Sequence, residues 1–104
     1  MKETKSISLT ELKKLIQTGL KVLIIDVRSQ EEYNSLHIPN AINSTIEQIE
    51  KGELNFKKET IIVTACGKGG GRSESASSYI QNNYSQDVYF LEGGTFGWFD
   101  EALE

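Results

Sequence analysis

The strongest chemical signal in the sequence is its only cysteine, which is followed by a glycine-rich loop and an arginine. After Cys66 come Gly67, Lys68, Gly69, Gly70 and Gly71, and then Arg72. Glycine permits the positive φ angles at which successive backbone N–H groups converge on an anion. The two cations, and the start of a predicted helix, add positive charge. These features stabilise a thiolate, so we predict a reactive nucleophile with a lowered pKa at Cys66.

A structural interpretation of the cysteine has to be weighed against this one. A free cysteine is often just a small buried apolar side chain. Four glycines and two cations beside the thiol are poor material for an apolar core. The setting therefore favours a functional thiol.

Apolar segments predict strands that would position this thiol. The segments are Lys21 to Val27, 61 to 65 and Val88 to Leu91, with a shorter strand at Ala41 and Ile42. Apolar strands covered on both faces are typical of parallel sheets, so we predict an α/β domain with a central, mainly parallel sheet. Ligands bind at the carboxyl ends of such strands. Asp26 with Arg28, the loop after Cys66, and the Gly93–Gly94 pair should meet there.

Capping patterns predict the helices between these strands. Helices are predicted to begin at Ser8 with Glu11, Ser29 with Glu32, Ser44 with Glu47, Ser73 and Thr95. Gly19 and Gly52 are predicted to end the first and third helices, and the fourth is predicted to run to about Asn83. Residues 54–59 are interpreted as a linker. Trp98, Phe99 and Ala102 are predicted to lie in the last helix. Trp98 and Phe99 are predicted to be core residues, and Trp98 is also a candidate for the pocket mouth.

Composition narrows the class of protein. The chain has 104 residues, 38% of them apolar and 25% charged, with a net charge of −4, which predicts one globular domain over residues 1–104. Acidic charge argues against nucleic acid as a partner, and the longest apolar run is too short to cross a membrane. One cysteine allows no internal disulfide, and no signal peptide is visible, so a cytoplasmic location is expected. No cluster has metal-ligand spacing, so neither a metal nor a cofactor is predicted.

The chain resembles the rhodanese-like family over nearly its whole length. The matching segments are Leu-Ile-Ile-Asp-Val-Arg at 23–28, Glu32-Tyr33, His-Ile-Pro-Asn-Ala-Ile at 37–42, Ile-Ile-Val-Thr-Ala-Cys at 61–66, Arg72-Ser73 and Leu-Glu-Gly-Gly-Thr-Phe-Gly-Trp at 91–98. The resemblance implies a three-layer α/β/α fold and a sulfurtransferase. Cys66 would carry a sulfane sulfur as a persulfide, and the backbone N–H groups of Gly67 to Arg72 would hold that sulfur. Lys68 would attract anionic donors.

The same resemblance implies a set of partners. They are a small sulfur donor such as thiosulfate, a polysulfide or a persulfide, a thiol or cyanide as acceptor, and a sulfur-carrier protein as a further candidate. The oligomeric state is left open between a monomer and a homodimer.

The loop departs from the family pattern and leaves other functions open. Five residues separate Cys66 from Arg72, whereas the commonest sulfurtransferase loop has four. The longer loop resembles that of phosphatases and arsenate reductases on this fold. Against them stand Ala65, where such phosphatases usually have His, and the lack of a second thiol. A non-catalytic binding module is a third hypothesis. Leu36 also departs from the family, which usually has Gly before His37.

Three further polar residues have both structural and functional interpretations. His37 is the only histidine, and its place in a connecting segment favours a backbone hydrogen bond over the role of a catalytic base. Asp26 and Arg28 are predicted to form a structural pair, with Arg28 also a candidate for substrate binding. Arg72 could bind the anion or brace the loop.

Overall fold

The computed structural model describes residues 4–53, 60–68, 71–84 and 86–100. Within these ranges a parallel five-stranded sheet is formed by β1 (Ser6–Ile7), β2 (Val22–Asp26), β3 (Ile42–Asn43), β4 (Ile61–Ala65) and β5 (Val88–Leu91), in the order β1-β5-β4-β2-β3. The helices are α1 (Leu9–Gln17), α2 (Gln30–Ser35), α3 (Ile46–Glu50), α4 (Gly71–Asn83) and α5 (Gly94–Asp100). The predicted α/β class with a parallel sheet is confirmed.

The sheet separates two apolar cores. Successive strand residues point to opposite faces, so Ile25 packs with Ile49 of α3 on one side, whereas Ile24 packs with Leu12 of α1 on the other. Helix α4 contributes to the first core, and α2 and α5 pack beside the second. The fold is therefore the expected three-layer α/β/α arrangement.

The first two helices begin as predicted. Ser8 and Ser29 accept hydrogen bonds from the backbone N–H groups of Glu11 and Glu32, whose carboxylates accept from the backbone N–H groups of the two serines. Gly19 follows α1 with φ of 80°, a left-handed conformation that glycine adopts without strain. Both starts depend on residues three positions apart, which is why they can be predicted locally.

The start of α3 was predicted one residue too early. The capping residue is Thr45, paired with Gln48, rather than Ser44 with Glu47. The N–H of Ser44 donates to the carbonyl oxygen of Asp26 at 3.0 Å. This bond continues the pairing of β2 with β3, so Ser44 still belongs to the sheet edge and Thr45 is the first residue able to cap the helix.

The predicted caps of α4 and α5 were also wrong. The helices begin at Gly71 and Gly94, so Ser73 and Thr95 lie inside them as their third and second residues. Both side chains are fully buried. A cap lies before the first helical residue and near solvent, whereas these two hydroxyls face the interior.

The last helix is less buried than its apolar residues suggest. Trp98 packs partly against the second core, and the Nζ atom of Lys13 lies 4.8 Å from its ring centroid. Phe99 is 37% exposed, so its prediction as a core residue was wrong. Ala102 and the linker at 54–59 lie outside the described residues.

One strand was not predicted at all. The two residues of β1 pair with β5, with Ser6 opposite Phe90 and Ile7 opposite Leu91. So short a segment has no recognisable periodicity, and only its distant partner defines it as a strand. No helix in the described part of the chain is long and apolar enough to span a membrane.

Candidate active site around Cys66

Cys66 lies directly after β4, at the carboxyl edge of the sheet, and is almost fully buried. Its Sγ atom is 3.4 Å from the Oγ atom of Ser73. Thr64 of β4 donates a hydrogen bond of 2.7 Å to the carbonyl oxygen of Ser73, which ties the start of α4 to the strand. A serine hydroxyl can accept a hydrogen bond from a thiol and donate one to a thiolate. The position suits stabilisation of the ionised sulfur.

Sequence analysis missed the contact between Ser73 and the sulfur. Ser73 was taken as a helix cap, which would have directed its hydroxyl to the backbone of α4. Because the helix already begins at Gly71, Ser73 is the third residue of the helix rather than the residue before its start. The signal that could have identified it is a serine immediately after the arginine that closes the loop.

Helix α5 holds the first peptide groups of the loop. The N–H of Thr95 donates to the carbonyl oxygen of Cys66 at 2.7 Å, and the N–H of Phe96 donates to that of Gly67 at 2.9 Å. The first N–H groups of a helix have no partner within the helix, so the two loop carbonyls satisfy them. The Gly94 backbone, with φ of 58°, starts this helix. The segment after β5 therefore meets Cys66, as predicted.

Phe96 closes one side of the loop. A Cβ atom on Gly67 would lie 3.1 Å from the Cε2 atom of Phe96, so the ring occupies the space that a side chain would need. Phe96 is itself partly exposed, and the guanidinium carbon of Arg28 lies 5.8 Å from the ring centroid. Sequence analysis did not single out this aromatic residue.

Asp26 and Arg28 form the predicted structural pair, and both side chains are buried. The Nε and Nη2 atoms of Arg28 donate to Asp26 at 3.0 and 2.7 Å, and only 2% of the Arg28 side chain is exposed. The hydrogen bonds to Asp26 raise the pKa of Arg28. Nη2 also donates to the carbonyl oxygen of Leu36. Burial and these partners favour a bracing role for Arg28 over contact with substrate.

Leu36 departs from the family pattern without a backbone cost. Its φ is −163°, an extended conformation that any residue adopts.

His37 makes a backbone contact, with Nδ1 2.8 Å from the carbonyl oxygen of Tyr33, and its ring stacks on that of Tyr33 with centroids 3.9 Å apart. These contacts support the structural interpretation of His37.

The two cations of the loop are both exposed, and Arg72 also forms an ion pair. Lys68 is exposed. Arg72 is also largely exposed, and its Nη1 atom donates to Glu32 of α2 at 3.1 Å. The hydrogen bond to Glu32 raises the pKa of Arg72, with smaller contributions from the charges of Cys66 and Asp26. Arg72 therefore links α2 to the loop.

The described residues include only part of the anion-binding loop predicted from the sequence. Gly67 is buried beside Phe96, and Gly71 is the exposed first residue of α4. Gly69 and Gly70 lie outside the described residues. Across the described ranges, no group of three His, Cys, Asp or Glu side chains could hold a metal ion.

Comparison with known proteins agrees with the fold. The model of the rhodanese-like domain family matches residues 8–101, and the chain belongs to that family. A rhodanese-like domain protein from Staphylococcus aureus is 34% identical over 91% of each chain, with a TM-score of 0.78. A Rhodopseudomonas palustris protein described as a possible tyrosine phosphatase is 25% identical, over 95% of this chain and 82% of its own, with a TM-score of 0.80.

The curated relatives are much longer than this chain. A tRNA uridine(34) hydroxylase from Aster yellows witches'-broom phytoplasma (strain AYWB) is 36% identical over 83 residues, which are 74% of this chain and 27% of the relative. The chain thus spans about a quarter of that protein.

Proposed function

We propose that the protein is a sulfurtransferase that moves a sulfane sulfur through a persulfide on Cys66. The observation that carries the proposal is the placement of the Cys66 sulfur at the carboxyl edge of the sheet, 3.4 Å from the buried hydroxyl of Ser73. The peptide groups after the sulfur are anchored by α5. A fixed, hydrogen-bonded sulfur beside cationic groups is the setting in which a thiolate becomes a nucleophile.

Two half-reactions would share the same sulfur atom. In the first, the Cys66 thiolate attacks the outer sulfur of the donor, a new S–S bond forms, and the donor's S–S bond breaks as its electron pair leaves with the inner group. With thiosulfate the leaving group is sulfite. In the second, a thiol or cyanide attacks the outer sulfur of the persulfide and the Cys66 thiolate leaves. Sulfur passes without an external oxidant or reductant.

Roles for the loop follow from its composition. The backbone N–H groups of Gly67 to Arg72 are proposed to hold the transferred sulfur, since converging amides stabilise negative charge. Lys68 is proposed to attract anionic donors. A sulfur-carrier protein remains a proposed acceptor beside small thiols.

Intact mass spectrometry with a cyanide assay tests the proposal. Wild type, Cys66→Ser and the control Ser77→Ala are each incubated with thiosulfate and, separately, with 2-hydroxyethyl persulfide, and cyanide is then added. Ser77 is a buried residue of α4 whose hydroxyl has no hydrogen-bond partner among the described residues. We expect a gain of one sulfur atom and release of thiocyanate in wild type and Ser77→Ala, and neither in Cys66→Ser. Absence of the mass gain with both donors would refute the proposal.

Oxyanion chemistry is a second candidate function. Five residues between Cys66 and Arg72 leave room for a tetrahedral anion, and one structural neighbour is described as a possible tyrosine phosphatase. An aryl phosphate offered to the same variants separates the two functions. Phosphate release that depends on Cys66, without a persulfide, would favour the phosphatase.

Two other functions carry less support. The hydroxylation that names the tRNA-modifying relatives belongs to proteins of which this chain covers about a quarter, and the net charge of −4 does not favour binding to the phosphate backbone of tRNA. A non-catalytic binding module would retain its partner in Cys66→Ser and would show no turnover in wild type.

A further inference from the structure

The arginine that closes the active-site loop is paired with a carboxylate from another helix. Nη1 and Nη2 of Arg72 lie 3.1 and 3.4 Å from the two carboxylate oxygens of Glu32. The side chains are 55% and 41% exposed. An exposed pair of this kind is ordinarily weak, because two long side chains must be immobilised together.

The Glu32 side chain is held in place by its own helix, independently of Arg72. Its Oε1 atom accepts hydrogen bonds from the backbone N–H and the hydroxyl of Ser29, at 3.2 and 3.0 Å, as part of the cap of α2. The entropy cost of forming the pair therefore falls mainly on Arg72. The hydrogen bond from Arg72, together with those from Ser29, lowers the pKa of Glu32 to about 2. Glu32 is a fixed negative charge near neutral pH.

The partner of this negative charge, Arg72, is next to the residue that contacts the reactive sulfur. Arg72 is adjacent in sequence to Ser73, whose hydroxyl contacts Cys66, and the charge of Cys66 contributes to the raised pKa of Arg72 after the larger effect of Glu32. Glu32 thus offsets one of the two cations that would otherwise attract an anion. Together with the thiolate itself, it makes the entry of a doubly charged donor costly.

We infer that Glu32, acting through Arg72, is a positioning residue that selects donors of low charge. The preferred sulfur donor is then an alkyl persulfide carrying at most one negative charge, and thiosulfate, with two, is disfavoured. The inference rests on the proposed sulfur transfer. In the favoured step the Cys66 thiolate attacks the terminal sulfur of R–S–SH. The Cys66 S–S bond forms, the donor's S–S bond breaks, RS⁻ leaves with the electron pair, and the proton stays on the transferred sulfur.

Glu32→Gln tests the charge while conserving most of the contacts. The amide oxygen of Gln can still accept from Ser29 and from Nη1 of Arg72, so the cap is kept, and the longer contact with Nη2 is lost together with the charge. Glu31→Gln is the matched control, because it removes the same charge from the neighbouring exposed position of α2. The rate of persulfide formation on Cys66 is measured by mass spectrometry with thiosulfate and with 2-hydroxyethyl persulfide.

The expected changes scale with the charge of the donor. Coulomb energy is proportional to charge, so we expect Glu32→Gln to accelerate loading from doubly charged thiosulfate about tenfold, and to change loading from the uncharged R–S–SH by no more than about twofold. The thiosulfate gain should shrink in 1 M salt. Glu31→Gln should change neither rate by more than about twofold. Equal changes for both donors, or slower loading from thiosulfate, would overturn the inference.

A second measurement keeps charge selection separate from sulfur transfer. Sulfate and methanesulfonate are used to protect Cys66 from iodoacetamide in wild type and Glu32→Gln. We expect the protective concentration to fall about tenfold for sulfate and about threefold for methanesulfonate in the variant. If Cys66 accepts sulfur from neither donor but this pattern holds, only the proposed sulfur transfer fails. If sulfur is transferred and the pattern is absent, only the role of Glu32 fails.

Discussion

The hydrogen bond between Ser73 and Cys66 makes a quantitative prediction about thiol reactivity. A hydrogen bond to a charged group contributes about 1.5–3 kcal/mol, and at 3.4 Å between sulfur and oxygen we take the lower end of that range. A loss of about 1.4 kcal/mol is a tenfold change in an equilibrium constant. Ser73→Ala should therefore lower the fraction of thiolate, and with it the rate of alkylation by iodoacetamide at neutral pH, about tenfold.

The variant keeps the backbone attachment of the helix. Thr64 bonds to the carbonyl oxygen of Ser73, which alanine retains, so the attachment of α4 to β4 is unchanged. Ser77→Ala is the control, since it removes a buried hydroxyl from the same helix. Its Oγ atom has no hydrogen-bond partner within the described ranges.

Alkylation rates measured from neutral to strongly alkaline pH show whether Ser73 affects ionisation of the thiol or access to the sulfur. If Ser73 stabilises the thiolate, the rates of wild type and Ser73→Ala converge at high pH, where the thiol is ionised in both. A tenfold difference that persists at high pH would mean that access to the sulfur changed instead. A rate equal to that of wild type at neutral pH would refute the role of the hydroxyl.

Two predictions concern the ion pairs. Asp26→Asn leaves the Arg28 guanidinium, which is 2% exposed, without its counter-charge. The free energy of unfolding should fall by about 3–5 kcal/mol, and the thermal midpoint measured by circular dichroism by at least about 12 °C. A loss of unfolding free energy below about 1 kcal/mol would contradict the assigned burial. The pKa of Glu32 is lowered from 4.5 to about 2 by Arg72, so its stabilising contribution is complete above pH 4.5 and is lost as the pH falls through about 2. The difference in urea midpoint between wild type and Glu32→Gln should accordingly vanish near pH 2, and a difference that is constant between pH 5 and 2 would contradict the pairing.

Features set by neighbouring residues could be predicted from the sequence. The caps at Ser8 and Ser29 were predicted to the residue, because their partners lie three positions away. The strand before Cys66 was also predicted correctly, as a run of β-branched residues. Each of these features depends on residues that lie close together in the sequence.

Features set by distant contacts could not be predicted. Ser44 was misassigned as a cap because its N–H belongs to the sheet through Asp26. Ser73 was misassigned because the sequence does not show that α4 begins at Gly71. The salt bridge from Arg72 to Glu32 joins two helices that no sequence pattern connects. The candidate nucleophile was therefore predictable, whereas the groups that surround it were not.

The parallel pairing of the sheet has a consequence for folding. Every neighbouring pair of described strands is parallel, and β1 pairs with β5, so Ser6 must find Phe90 near the far end of the chain. Non-local pairings of this kind slow folding, to milliseconds or longer. The anchoring of Cys66 by the N–H of Thr95 needs α5 in place, and α5 follows the last strand. The anchored site around Cys66 is thus expected to form only in the last steps of folding, and the approach of the Cys66 alkylation rate to its native value becomes a kinetic marker for completion of the fold.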